Sequence, residues 1–328
     1  MNKSELINIL HRFTDQRIVI IGDAIADRFV HGSISRVSRE APVFILQHQH
    51  TETLPGGAAN CAMNLVALGA KVSLISVTGS DEAGNELRAK LESAGVNIDG
   101  VIVSDKVQTT TKVRILAGHS HGNKQQVIRI DYEGAALSDE EVRAALLNKL
   151  QQAIASANAV VISDYNYGVV DSHAADLIRK DVSVPVVVDS RFRLREYPGF
   201  TAATPNQDEV ENLAGAPIAS AEQLEQAATE LKRQLGYRAL LVTRGGEGMT
   251  LVESDATPLH IRAVGAQQPV DVTGAGDTVI ATFTLALAAG ASFADAAHLA
   301  NYAGGLVVMK RGTATVSAEE LEHSIANT

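Results

Sequence analysis

The sequence predicts an α/β protein with three layers, in which a mostly parallel central sheet lies between helices on both faces. Short runs of β-branched residues alternate with longer helical patterns along most of the chain, which is the order expected of a parallel sheet with crossover helices. Some of these runs, such as Ala159-Val-Val-Ile162, are apolar at every position, as strands are when both faces are covered. Because 45% of the 328 residues are hydrophobic, we expect one large domain over residues 1–328.

The pattern predicts five strands and five helices for this domain. The strands are expected at residues 17–22, 71–77, 159–164, 184–189 and 239–243. The helices are expected at residues 57–68, 82–93, 139–155, 221–235 and 275–289.

Two stretches, 28–50 and 108–132, break the alternation of strands and helices. The second alternates apolar and polar residues on both sides of a polar segment, which is the pattern of a β-hairpin. We predict that the two stretches form a small accessory sheet, inserted into the α/β domain, that acts as a lid over a site or as the contact of a homodimer. At the hairpin tip, His119 and His121 favour a solvated turn over a metal site, because no third ligand is evident.

The composition limits the partners of the protein. A net charge of −10 and a pI of about 5.5 disfavour nucleic acid, which requires a basic face. The longest apolar-rich stretch, 279–291, is shorter than the roughly 20 residues that a membrane helix needs. The N-terminus lacks the apolar core of a signal peptide, and the single cysteine, Cys61, fits a reducing compartment. We therefore expect a cytoplasmic protein with no membrane partner.

The segment Asp271-Val-Thr-Gly-Ala-Gly-Asp277 precedes a strong helical pattern. Its glycines allow a tight turn, and the first N–H groups of a helix form an anion site, here at Gly274, Ala275 and Gly276. Asp277 lies in the first turn, where a carboxylate can accept a proton while the N–H groups stabilise a phosphoryl group. The alternative is a glycine turn that starts a buried helix with an ordinary first-turn acid. A P-loop is excluded, because Gly-x-x-x-x-Gly-Lys-Ser/Thr does not occur in the sequence.

Two segments together resemble the signatures of ribokinase-family carbohydrate kinases of the phosphofructokinase-B type. Pro55-Gly-Gly-Ala-Ala-Asn60 resembles the N-terminal sugar-binding signature, and Asp271–Asp277 resembles the C-terminal one. The resemblance implies a ribokinase-like fold, transfer of the γ-phosphate of ATP to a sugar hydroxyl, Mg²⁺ as cofactor, and Asp277 as catalytic base.

Within this family the chain most resembles the kinase domain of bacterial heptose-phosphate kinases. The residues that carry this resemblance lie in segments 22–28, 35–43, 111–114, 126–131 and 163–165. It implies D-glycero-D-manno-heptose 7-phosphate as acceptor and the 1,7-bisphosphate as product. A nucleotidyltransferase, which is fused to the kinase in some bacteria, is not expected within these 328 residues.

The resemblance also assigns roles to residues near the predicted sugar site. Gly57 and Asn60 are expected to contact sugar hydroxyls beside Gly56, although a capped helix start would also explain them. Further carboxylate candidates follow two strands, at the sheet edge where ligands of α/β proteins bind; they are Asp23, Asp27 and Asp164. Three cations of the accessory sheet either reach a sugar phosphate or only occupy its exposed face; they are Lys112, Arg114 and Arg129.

The nucleotide and ion sites are predicted from three other segments. Asn206-x-x-Glu209 resembles a family motif in which Glu209 binds Mg²⁺ through water, and it is also a good helix start. The nucleotide is expected to contact the glycine turn after the fifth strand and one late helix; the residues are Asn206, Thr243, Arg244, Gly246, Gly248 and Asn301. Asp271 and the loop 311–315 resemble a monovalent-cation site, which implies K⁺.

Two positions depart from the heptose-kinase pattern. Tyr167 replaces an expected lysine, which removes a charge, and Ser190-Arg191 replaces Pro-Lys. Two alternatives to a heptose kinase therefore remain open. One is a kinase for another sugar or a nucleoside, and the other is a sugar-binding regulator without catalysis on the same fold.

Overall fold

A computed structural model describes residues 2–118, 124–134, 137–254, 256–265 and 268–328. The strands are β1 Arg17–Gly22, β2 Ala24–Val37, β3 Phe44–Gly57, β4 Lys71–Gly79, β5 Asn97–Ser104, β6 Thr111–Gly118, β7 Gln125–Tyr132, β8 Ala159–Asp164, β9 Val186–Ser190, β10 Ala202–Ala203, β11 Ala239–Thr243, β12 Met249–Glu253 and β13 Leu259–Ile261. The helices are α1 Lys3–Leu10, α2 Ala58–Ala67, α3 Glu82–Ser93, α4 Glu140–Ile154, α5 Ser172–Asp181, α6 Gln207–Ala214, α7 Ala221–Leu235, α8 Ala275–Ala288, α9 Phe293–Val307 and α10 Ala318–Asn327.

The main sheet has nine strands in the order β13-β12-β11-β10-β9-β8-β1-β4-β5. Every pairing from β5 to β11 is parallel, whereas β12 and β13 form an antiparallel edge. The five predicted strands correspond to β1, β4, β8, β9 and β11, and the five predicted helices to α2, α3, α4, α7 and α8, with ends that differ by at most two residues. The mostly parallel sheet is therefore confirmed.

The alternating side chains of β1 show why the protein has three layers. Ile18 and Ile20 belong to the core on the face covered by α2 and α8, while Val19 and Ile21 belong to the core on the face covered by α4 and α5. Both faces of the strand are thus buried, which explains its continuous apolar sequence. The described residues include no helix that is both long and apolar enough to cross a bilayer.

The accessory sheet has four strands in the order β3-β2-β6-β7. β2 pairs antiparallel with β3 and parallel with β6, and β6 and β7 form the predicted hairpin. The first predicted piece, 28–50, is too short at both ends, because β2 begins at Ala24 and β3 continues to Gly57. The hairpin tip, with His119 and His121, lies outside the described residues. The role of this sheet as a lid, and the treatment of residues 1–328 as one domain, stay predictions.

Gly22 allows β1 and β8 to approach closely where the site begins. A Cβ atom at this position would lie 2.0 Å from the carbonyl oxygen of Ser163. We predict that Gly22→Ala lowers the free energy of unfolding by about 3 kcal/mol, because the strands would have to separate. Urea denaturation measures this loss. Gly134→Ala is the matched control, since its new Cβ would meet no atom closer than 3.6 Å. Equal stability of the two variants would contradict the packing argument.

Candidate active site

The carboxylate of Asp277 is buried at the start of α8 and is held by two side chains from distant parts of the chain. Asn60 Nδ2 donates to Oδ2 at 2.8 Å, and the Tyr165 hydroxyl donates to Oδ1 at 2.9 Å. Asn60 lies on α2, and Tyr165 directly follows β8. The structure thus brings the two signature segments together around one carboxylate.

The environment of Asp277 sets its pKa near neutrality. Burial raises the pKa of this carboxyl group to about 6, although the hydrogen bonds from Asn60 and Tyr165 lower it. The sequence pattern alone did not indicate this burial. Above about pH 6 the group is still mostly ionised, and a base with a pKa near the working pH suits proton transfer.

The turn before α8 requires glycine at position 274. Gly274 has a left-handed backbone with φ of 77°, and a Cβ atom there would lie 2.4 Å from Asn60 Nδ2. The N–H of Ala275 donates to the carbonyl oxygen of Val272 at 3.2 Å. The turn therefore uses the N–H of Ala275, which leaves those of Gly274 and Gly276 from the predicted anion site, together with that of Asp277 itself in the first turn of the helix.

A second row of hydrogen bonds joins α2 to α8 beneath Asp277. The Thr278 hydroxyl donates to Asn64 Oδ1 at 2.9 Å, and Asn64 Nδ2 donates to the carbonyl oxygen of Asn60 at 3.0 Å. Sequence analysis missed Asn64 and Thr278. Their signal was a second asparagine one helical turn after Asn60 and a threonine directly after Asp277.

Asp23 and Asp164 have structural partners that the sequence did not indicate. The Asp23 carboxylate accepts backbone N–H groups from Tyr165 at 2.8 Å, and from Tyr167 and Val169 at 3.2 Å. Burial nevertheless raises the pKa of Asp23 to about 6. Asp164 accepts the Ser190 hydroxyl at 2.8 Å and forms an ion pair with Arg193. Asp164 also accepts the N–H of Asn166 at 3.0 Å, so both carboxylates shape the loop that carries Tyr165. Their role as ligands of sugar hydroxyls stays a prediction.

The glycines at the end of β3 lie against these acids. A Cβ atom at Gly56 would lie 2.5 Å from Asp27 Oδ2, and one at Gly57 would lie 2.6 Å from the carbonyl oxygen of Asp23. Gly57 also has a positive φ of 56°. The two glycines let β3 run directly into α2 beside β2, so that Asn60 reaches Asp277.

Two of the predicted cations of the accessory sheet point towards this region. Arg114 forms a buried ion pair with Asp27, and burial is the main cause that raises the pKa of Asp27. The Lys112 ammonium lies 5.6 Å from the ring centre of Tyr165 and 5.8 Å from that of Tyr167. Burial lowers the pKa of Lys112. Arg129 instead forms an exposed ion pair with Asp131.

A polar cavity of about 220 Å³, here called the acidic cavity, opens beside Gly276. Its acids are Asp164, Asp189 and Glu209, and Arg191 lies among them. Asp189 was not among the predicted site residues, although it is the last residue but one of β9 and Asp164 is the last residue of β8. Burial raises the pKa of Glu209 and raises that of Asp189 well above its usual range.

The clustered acids of this cavity suit a hard cation. Carboxylate oxygens are the ligands that Mg²⁺ prefers, and a cation would compensate for the burial of their charge. Glu209 also forms a capping box with Asn206 at the start of α6, so the interpretation of this motif as a helix start is confirmed. Its role at Mg²⁺ stays a prediction.

A largely apolar cavity of about 190 Å³ lies on the other side of Gly276. Its walls include the predicted residues Thr243, Gly246, Gly248 and Asn301. Gly276 and Thr243 line this apolar cavity and the acidic cavity alike, so the two cavities meet at the start of α8. Arg244 is not among the lining residues and forms an ion pair with Glu247.

The apolar cavity also has walls that sequence analysis missed. Gly304 and Gly305 lie on α9, and a Cβ atom at Gly305 would lie 2.1 Å from the carbonyl oxygen of Val264. The adjacent glycines inside a helical pattern were the available signal. Asn301, one turn earlier, donates to the carbonyl oxygen of Arg262 at 2.8 Å and so fixes the facing loop.

Asp271 joins two loops beside the start of α8. Its carboxylate accepts the N–H of Thr273 and that of Gly312, both at 2.9 Å. Burial raises the pKa of Asp271, but these hydrogen bonds outweigh it and leave the pKa lowered. Asp271 and the loop 311–315 are therefore joined by a hydrogen bond, and the monovalent-cation site expected there stays a prediction.

The profile of the pfkB family carbohydrate kinases matches residues 15–321. The chain belongs to this family. A curated relative, the bifunctional protein HldE of Paramagnetospirillum magneticum, is 40% identical to this pfkB kinase over 322 residues. The match covers 97% of this chain and 65% of that relative, so the chain spans less than two thirds of the relative's length.

Solved structures show the same fold as this pfkB kinase. Arabidopsis thaliana ribokinase, solved with ribose and ATP, is 23% identical with a TM-score of 0.74, over 95% of this chain and 99% of that one. Escherichia coli phosphofructokinase-2, solved with potassium, is 20% identical with a TM-score of 0.78, over 95% of this chain and 98% of that one. The predicted ribokinase-like fold is confirmed. The family also confirms a phosphotransferase that uses an alcohol group as acceptor.

The hydrogen bond from Tyr165 gives a prediction for the pH dependence of this kinase. Asp277 must be ionised to act as base, so kcat/KM should fall below about pH 6. Tyr165→Phe removes a donor that stabilises the ionised form, so the pKa of Asp277 should rise and the acid limb should move up by about one unit. The pH profile of kcat/KM measures this shift. Tyr132→Phe, on the exposed strand β7, is the control, and an unshifted limb in Tyr165→Phe would contradict the assignment.

Proposed function

We propose that this pfkB kinase transfers the γ-phosphoryl group of ATP to the anomeric hydroxyl of D-glycero-D-manno-heptose 7-phosphate, or of a closely related sugar phosphate, with Asp277 as base. The observation that carries the proposal is the buried Asp277 carboxylate, held by Asn60 and Tyr165 at the start of α8. A helix cap needs no such pair of donors, whereas a base must be oriented towards its proton donor.

The proposed reaction uses two groups at the start of α8. Asp277 accepts the proton of the attacking hydroxyl, whose oxygen forms a bond to the γ-phosphorus as the bond to the β–γ bridging oxygen breaks. The electron pair of that bond leaves with ADP. The N–H groups of Gly276 and Asp277 stabilise the charge on the transferred oxygens. Together these groups account for proton transfer and charge stabilisation within one helical turn.

The cavities on both sides of Gly276 support the placement of ATP. The apolar cavity suits adenine and ribose, because nucleoside sites are mostly apolar with a few polar groups. The phosphates would then lie near Thr243 and Gly276, beside the acidic cavity. There, Glu209 and Asp189 would hold Mg²⁺ through water, and the ion would neutralise charge on the phosphates. Asp271 with the loop 311–315 is the proposed site of a K⁺ ion.

Two observations support the heptose phosphate acceptor. The chain resembles heptose-phosphate kinases in segments of β2, β6 and β7, and it is 40% identical to an HldE protein over 97% of its length. A cleft of about 900 Å³ separates β2, β3 and β6 from the loops at 270–273 and 311–312, and it contains the cations Arg114, Lys124 and Arg311. Such a cleft has room for a sugar phosphate and charges that suit its phosphate group.

The two departures from the heptose-kinase pattern have identifiable neighbours. The Tyr167 ring packs near the Lys112 ammonium, and its hydroxyl donates to Glu133 at 2.5 Å. Arg191 lines the acidic cavity with Asp189 and Glu209. The change at Arg191 therefore concerns the proposed phosphate and Mg²⁺ region, and the change at Tyr167 concerns the surroundings of Lys112.

An acceptor panel tests the proposed reaction. ADP release is measured with heptose 7-phosphate, fructose 6-phosphate, ribose and adenosine. The heptose phosphate should give the highest kcat/KM. A higher value for another acceptor would overturn the substrate while keeping the kinase, and sugar binding without turnover on any acceptor would favour a regulator.

Substitution of the base tests the chemistry separately. Asp277→Asn should lower kcat by about 10³-fold, with little change in ATP affinity, because it removes general-base catalysis. Asp295→Asn is the matched control, since Asp295 is the first-turn acid of α9. If the two variants lose equally little activity, Asp277 is only a first-turn acid.

The accessory sheet is the proposed contact of a homodimer. Its edge strand β7 is exposed along its whole length, and its exposed apolar side chains include Val127, Ile128 and Ile130. An exposed apolar edge strand is usually covered by a partner.

Light scattering after size-exclusion chromatography tests this contact, because it measures the mass of the protein in solution. The protein should be a dimer, and Ile128→Asp should shift it to a monomer, because a charge would be buried in the contact. Val103→Asp, on the exposed edge strand β5, should leave the dimer intact. A monomeric wild-type protein would contradict the proposal.

A further inference from the structure

Three side chains with metal-binding atoms meet on the accessory sheet. His31 lies on β2, and His50 and Glu52 lie on β3; one ligand atom from each lies within 4.8 Å of the others. His31 and His50 are directly opposed in the antiparallel register, next to an irregularity between His31 and Gly32. None of the three belongs to the proposed phosphoryl-transfer machinery.

The distances are close to those of a zinc site. His31 Nε2 lies 3.2 Å from Glu52 Oε1, and the rings of His31 and His50 are stacked with their centres 4.1 Å apart. Zinc bonds of about 2.1 Å to nitrogen or oxygen, arranged tetrahedrally, place ligand atoms about 3.4 Å apart. The pair of His31 and Glu52 already meets this spacing. His50 is exposed, so its ring has room to turn out of the stack and direct a nitrogen at the ion.

The charges of the cluster also suit a divalent transition ion. Two imidazoles and one carboxylate form the ligand set found in several zinc enzymes, with an open fourth position.

The cluster borders the large cleft described above. His31 and Glu52 line one wall, and the loops that hold Asp271 and Gly312 line the other. An ion bound to the three ligands would keep its open position on the cleft side and would join β2 to β3 at the irregularity.

We propose that His31, His50 and Glu52 bind one Zn²⁺ or a similar divalent transition ion on the accessory sheet. The ion occupies a site separate from the acidic cavity, where oxygen ligands favour Mg²⁺. Because the ligands come from two strands, binding stabilises the pairing of β2 with β3.

Zinc titration tests the proposal. The full-length protein is freed of metal with a chelator and titrated with ZnCl₂ against a chromophoric competitor. His50→Ala and Glu52→Gln should each remove the tightest site or weaken it by at least about 10-fold, the loss typical of removing even an outer partner of a zinc site. Both residues are exposed, and circular dichroism checks that the variants fold. His260→Ala is the matched control, because His260 lies on β13 of the main sheet and bonds Glu225 of α7 without a second histidine in that pair.

The titration has two contrary outcomes. If the tightest zinc site of the wild-type protein has the same affinity as that of the His50→Ala variant, the cluster is only a stacked histidine pair beside a carboxylate. If the tight site survives in both ligand variants and is lost in His260→Ala, zinc binds elsewhere.

Diffraction gives an independent measurement that needs no variant. Crystals grown with one equivalent of ZnCl₂ should show an anomalous peak at the zinc edge between the ring nitrogens of His31 and His50 and the carboxylate of Glu52. A single peak at any other place would overturn the proposal.

Discussion

The burial of one carboxylate, Asp277, is the constraint on which the site depends. A buried charge needs donors, and here the donors come from α2 and from the loop after β8. To deliver them, β3 must run into α2 through Gly56 and Gly57, and the loop after β8 must be held by Asp23. The glycines and acids that the sequence suggests as separate sugar ligands thus also form one support for Asp277.

Two cavities of different chemistry meet directly beside this carboxylate. Gly276, the residue before it, lines an apolar cavity on one side and a cavity with three acids on the other. A nucleoside suits the first, and phosphates with a cation suit the second, so the proposed transfer takes place where the two cavities meet. The accessory sheet brings Lys112 and Arg114 towards this point from another side. The pfkB family assignment and the geometry therefore agree on the class of reaction.

The sequence predicted features that depend on local pattern. The apolar pattern of β1, the helical pattern of α8 and the glycine turn before Asp277 each involve residues that are close together in the chain. The structure confirms these three elements. The sequence pattern did not predict the antiparallel edge of the main sheet, because its strands β12 and β13 are short.

Contacts between residues that lie far apart in the sequence also could not be predicted from local pattern. Asp23 follows β1 as a ligand would, but its carboxylate accepts N–H groups more than 140 residues away. Asp189 and the wall at Gly305 depend in the same way on which strands and loops become neighbours.

The decisive test of Asp277 as the base is a structure of the protein with ADP, the acceptor sugar and aluminium fluoride, a mimic of the transferred phosphoryl group. We expect the acceptor oxygen to lie within hydrogen-bond distance of the Asp277 carboxylate and the fluoride ligands to lie at the N–H groups of Gly276 and Asp277. An acceptor oxygen bound instead to Asp164 or Asp189 would contradict it.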